Sequence, residues 1–111
     1  MNTAALALLG HASALLSGGV TVESGNSARL AAFLARQAAE ILIDQRCEEL
    51  GAPCPNGTMR SKISILKSLD RHGPGTNLIY AWHRLSECCH HHSYELPPTV
   101  SEVRALCAAL V

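Results

Sequence analysis

The residues of this chain best equipped for chemistry lie close together late in the sequence: Arg84, then the run Cys88-Cys89-His90-His91-His92. A guanidinium is a fixed, planar donor that can grip a phosphate or carboxylate with two bonds. An imidazole near neutral pH can take up a proton and return it, and cysteine with histidine can ligate a metal. Three readings of the run follow. In the first, the histidines pack and cap the last carbonyls of a helix, whose negative end they suit. In the second, Cys88 with His91 or His92, at i+3 or i+4, is half of a metal site that Cys47 or Cys54 completes. A structural zinc motif normally offers two spaced ligand pairs, and only one is evident here, so no metal or other cofactor is expected. In the third, Arg84 and a histidine act on a phosphodiester. Cleaving RNA requires a base for the 2′-hydroxyl, an acid for the leaving 5′-oxygen and a cation for the charged intermediate. One helix holds too few groups for this, but two copies across a two-fold axis supply two arginines and two sets of histidines.

Taken as one continuous helix at about 100° per residue, this segment sorts into stripes. Leu78, Ala81, Trp82, Leu85, Cys89 and His92 form the expected core stripe. Tyr80, Arg84, Glu87 and His91 form a second column, with Arg84 and His91 two turns apart and one above the other, and His83, Glu87 and His90 form a third. A second set of charged residues lies earlier. Arg60, Ser64, Lys67 and Arg71 fall at i, i+4, i+7 and i+11, a basic stripe along one helix face. It reads either as a solvated surface or as a rail for phosphates, and Arg60, Lys67 and Arg71 are its candidate substrate-binding residues.

Helices must position these groups, because no stretch alternates as a strand does and Ala and Leu dominate. The first helix is expected from about Thr3 to Leu16, stopped by Gly18-Gly19, with Leu6, Leu9, Leu15 and Leu16 as its apolar residues. Residues Val20 to Gly25 read as a loop. The second helix is capped by Asn26 or Ser27, buries Leu30, Phe33, Leu34, Ala38, Ile41 and Leu42, pairs Arg36, Glu40 and Asp44 on its polar side, and ends at Gly51 and Pro53. The third follows Pro55-Asn56-Gly57 with Thr58 as cap, buries Met59, Ile63 and Leu66 flanked by Ile65 and Leu69, and stops at Gly73-Pro74. The fourth begins near Gly75-Thr76 and ends before Leu96, ahead of Pro97. The fifth opens on Thr99 with Glu102 three later, a capping box, and presents Val103, Leu106, Cys107 and Leu110. The fold class is all-α, an antiparallel bundle of four to five helices in a single domain over residues 1–111.

Bulk properties narrow the function classes. The chain is 48% hydrophobic and 16% charged, with a formal net charge of zero. No global field steers it to nucleic acid, so such a role must come from a local patch. Sparse charge near the isoelectric point also favours self-association. The five cysteines are odd in number, Cys88 and Cys89 are adjacent, and no Lys or Arg precedes Arg29 as a secretory leader would require. Free thiols in a reducing cytoplasm are the expectation, and no run is long enough to span a membrane.

Arg84 followed by five residues and His90, or by six and His91, late in a small helical bundle resembles the signature of the HEPN superfamily, an Arg, four to six residues, then a His. The Ala-rich second helix, SARLAAFLARQAAEILIDQRCEELG, is similar to the helix with embedded Arg and Glu that such bundles carry. The resemblance runs from about Ser27 to Val111. It implies an HEPN-like homodimer and a metal-independent endoribonuclease or RNA-binding protein, with roles as a toxin or in phage defence. A cognate antitoxin or partner protein would accompany it. Arg84 would hold the scissile phosphate, and His90 or His91 would be the acid–base group. A helical interaction module without catalysis, working within a defence or regulatory complex, is the alternative.

Overall fold

A computed structural model describes residues 2–18, 27–90 and 98–111. Five helices account for most of them: α1 (Thr3–Leu16), α2 (Ser27–Glu49), α3 (Met59–Leu69), α4 (Gly75–Cys89) and α5 (Val100–Ala108). No strand occurs among the described residues.

Local chemistry explains most of the helix ends. Asn2 caps α1, its Oδ1 accepting from the Ala4 and Ala5 amides at 2.9 and 3.2 Å. Thr58 and Thr99 cap α3 and α5, each hydroxyl accepting the amide three residues on at 3.1 Å. Helix α2 closes on Gly51, whose φ of 76° only glycine adopts freely. There the Gly51 amide donates to the Glu48 carbonyl and the Ala52 amide to the Cys47 carbonyl, the paired bonds of a glycine-terminated helix.

Helix α2 is the central element, and the other four pack against it. Helix α1 runs antiparallel to it, since Asn2 at its start shares a surface groove with Asp44, Gln45 and Glu48. Helix α4 also runs antiparallel to α2: Arg29, near the start of α2, donates to the carbonyls of Cys88 and His90 at the end of α4. The face that α2 buries differs from the expected one. Ala31, Ala32, Ala35, Ala38, Ala39, Leu42, Ile43 and Cys47 are buried, whereas Leu30 and Phe33 are 40% and 46% exposed. All five of these alanines are at zero exposure on one helix that has neighbours on two sides. A helix packed on two sides gains most from small side chains, which bring backbones close and let neighbours' larger residues fill the space. Leu6 and Leu69 likewise stand at the surface rather than in the core, while Ala5 and Ala12 join the expected Leu15 and Leu16 as the buried residues of α1.

One buried polar joint sets α3 against α4. Asp70, the residue after α3, is 5% exposed. Its carboxylate accepts two bonds from Arg46 of α2, both at 2.9 Å, and the Gly75 amide that opens α4 at 2.8 Å. The Arg46 hydrogen bond holds the Asp70 carboxyl below its ordinary titration range, against the opposing effect of burial. A Cβ at Gly73 or Gly75 would collide with this carboxylate, so both glycines are required by close approach. Helix α3 accordingly ends at Leu69, four residues before the Gly73-Pro74 stop read from the sequence.

Candidate functional site

Helix α4 carries Arg84 on its accessible side, but it is shorter than the sequence suggests. It ends at Cys89, and His90 is already extended at φ −81° and ψ 139°. Expectation placed the end near Leu96, on the strength of Pro97. A nearer cause is long-range. Arg29 of α2 supplies donors to the carbonyls of Cys88 and His90, satisfying the helix end from outside the helix. The register that set His91 above Arg84 therefore stops two residues short of His91, which lies with His92 and Tyr94 outside the described residues. The core stripe shifts as well. Leu78, Ala81, Leu85 and Cys88 are buried, while Trp82 and Cys89 are half-buried beside α2.

The Arg84 side chain is 41% exposed and bridges two carboxylates. Its Nη1 lies 2.8 Å from Glu87 Oε2, one turn along the same helix, and its Nη2 lies 3.0 Å from Glu102 Oε1. Glu102 stands third in α5, where the sequence reads as a capping box. Its amide does bond Thr99, but its carboxylate turns toward α4 to meet Arg84 and the Cys88 thiol, 3.7 Å away. Burial, followed by the Glu102 charge and hydrogen bond, pushes the Cys88 thiol up to about 11. That is the reverse of what a nucleophile or metal-ligating thiolate needs. Among the described residues no group of three or more His, Cys, Asp or Glu is assembled to hold a metal. His90 is exposed at the end of α4, its amide bonded to the Glu87 carbonyl at 3.2 Å.

A second cluster flanks α4 on the α2 side. The Arg36 guanidinium lies 5.5 Å from the centre of the Trp82 ring, and Trp82 Nε1 donates to Glu40 Oε1 at 3.2 Å. Glu40 also pairs with Arg36 at 3.6 Å, as the i+4 spacing predicts. Asp44 instead reaches across to Lys62 of α3 at 2.9 Å. Cys89 sits beside Arg29 and Arg36; burial raises its thiol more than those cations lower it. The polar half of this cluster is visible in the helix spacing, but its meeting with Trp82 is not.

The α3 rail behaves differently. Arg60, Ser64 and Lys67 share α3, but Arg71 follows the helix end set by Asp70, so the expected stripe stops at Lys67; all three cations are exposed, and among the described residues none of them is ion-paired with a carboxylate. Lys67 and Arg71 border an open groove of about 330 Å³, shared with Leu66, Thr76 and Ile79. The chain matches no known protein family, no characterised protein and no solved structure.

Proposed function

We propose that this chain is an RNA-binding helical bundle of HEPN-like character that acts as a homodimer and meets the phosphate backbone along α3. The observation that carries this is the rail itself. Among the described residues Arg60, Lys67 and Arg71 are exposed and without an ion pair, the first two on α3 and the third just past its end, in a chain whose net charge is zero. Arg60 and Lys67, seven residues apart on α3, stand about 10 Å apart along its axis, enough for two successive phosphates of a single strand, and Arg71 adds a cation just past the helix end. Salt dependence of affinity tests it directly. A protein that neutralises phosphates on a single strand loses affinity with a log–log slope of about 0.7 per phosphate. Replacing all three cations by alanine should reduce that slope by about 2 and weaken binding at low salt. An unchanged slope would remove α3 from the interface.

Cleavage is the activity proposed for such a dimer, with Arg84 holding the phosphate and His90 or His91 moving the proton. Supporting it, Arg84 is half-exposed with both terminal nitrogens placed, and His90 leaves α4 in extended backbone immediately ahead of His91. The competing reading is a bundle that binds without cutting. The observation favouring it is that Glu87 and Glu102 already occupy the Arg84 guanidinium, leaving the trio with one net negative charge. Incubating labelled RNA with the wild type and with a variant combining Arg84→Ala, His90→Ala and His91→Ala separates the two. Metal-independent products lost in the variant establish cleavage; absence of products at concentrations that saturate binding establishes the module.

A further inference from the structure

The groove at the end of α3 contains more than a phosphate rail requires. Its volume of about 330 Å³ lies at the lower end of the range for small-molecule sites, ~300–1,000 Å³. That is room for one nucleotide unit. Its accessible apolar surface is that of Ile79, half-buried against the core, because Leu66 behind it is only 1% exposed. Its rim is cationic. Lys67 lies in the last turn of α3 and Arg71 just past the helix end, and both line the groove as exposed cations. The Thr76 hydroxyl donates to the Arg71 carbonyl at 3.2 Å, fixing the first turn of α4 against the α3 exit. The positive end of α4 contributes little here, because the Gly75 amide is already bonded to the Asp70 carboxylate, itself met by Arg46. The groove's charge therefore comes from Lys67 and Arg71. Arg60, eleven residues before Arg71, stands outside it.

We propose that this groove seats the phosphorylated end of an RNA strand, with the terminal phosphate monoester held by Lys67 and Arg71 and the terminal base over Ile79. The inference rests on the RNA-binding reading given above and adds an end preference to it. Two adjacent cations match the dianionic charge of a monoester better than the single charge of an internal diester. The Ile79 side chain beside them offers a base face an apolar contact.

The test uses the full chain and two kinds of probe. In nitrogen-15 correlation spectra, adenosine 5′-monophosphate and adenosine 3′-monophosphate are titrated separately, alongside adenosine and inorganic phosphate. The amides of Lys67, Arg71, Thr76 and Ile79 should move with at least one nucleotide, and which of the two identifies the strand end. In anisotropy titrations, matched oligoribonucleotides ending in that phosphate or in a hydroxyl are compared. The phosphorylated strand should bind about tenfold more tightly, a difference within reach of one charge-assisted contact. Lys67→Ala or Arg71→Ala should erase the preference, while Arg60→Ala weakens both strands alike and keeps it. Equal binding of the two strands without movement of the groove amides overturns the seat and leaves the rail standing. Movement with inorganic phosphate to the same extent as with the nucleotides removes the base from the proposal and overturns it in this form. Nucleotide binding in the groove with neither strand bound keeps the seat and overturns the RNA-binding reading instead.

Discussion

The end of α3 and the end of α4 each display cations at the surface, yet they are chemically unlike. At the end of α3, Lys67 and Arg71 border an open groove, and among the described residues no carboxylate pairs with them. On α4, Arg84 is held between Glu87 and Glu102 and works as a staple between α4 and α5. An unpaired cation offers its full charge to an incoming phosphate, whereas a paired one must first give up its partners. Residue type alone would rank Arg84 above Lys67 as a phosphate ligand. The partners reverse that order.

The strongest way to break the comparison is charge reversal on α3. Arg60→Glu, Lys67→Glu and Arg71→Glu together should lower RNA affinity at least ~100-fold at low salt, measured by anisotropy, with helical circular dichroism unchanged. Retained affinity would shift the interface to α4. Next in size is the joint that positions both regions. Asp70→Ala leaves Arg46 without its bidentate partner and the Gly75 amide uncapped, and the melting temperature should fall on the order of 10 °C. The pH dependence has a definite sign. The Asp70 carboxyl is depressed in the folded state, so its stabilisation is present above the unfolded value of about 4 and is lost as pH falls through the lower folded value. The wild type should therefore lose stability below about pH 4 more steeply than the alanine variant.

A subtler probe sharpens the α4 side. Cys88, titrating at about 11, should alkylate with iodoacetamide at pH 8 roughly 100-fold more slowly than an ordinary thiol. Glu102→Gln removes the nearby charge and should speed that reaction, as mass spectrometry of the modified peptide will show. A rate unaffected by Glu102→Gln would mean that the carboxylate does not face the thiol in solution. The smallest effect is on stability. Glu102→Gln breaks a half-exposed ion pair and should cost less than ~1 kcal/mol by thermal melting. If the same change strengthens RNA binding, Glu102 is what withholds Arg84 from phosphate.

The elements themselves were largely written in the sequence. Thr58 and Thr99 cap the helices expected of them, Gly51 ends α2, and Val103, Leu106 and Leu110 form the apolar face of α5. These are signals between residues within a turn or two, and local chemistry decides them. The stripe of α3 is legible as far as Lys67, because an exposed helix keeps its period, but Arg71 falls past the end that Asp70 sets through Arg46 and Gly75. The buried face of α2 is not: a count of large apolar residues selects Leu30 and Phe33, while packing on two sides selects alanines.

The sequence by itself therefore determined that this chain is helical and roughly where each helix starts. Only the tertiary structure decided where α4 stops and what Arg84 touches. Those outcomes depend on Arg29, 59 residues from Cys88, and on Glu102, 18 residues from Arg84. Periodicity has no term for a partner delivered by another helix, and it is the partner that sets whether a buried thiol stays protonated or a guanidinium is available to phosphate.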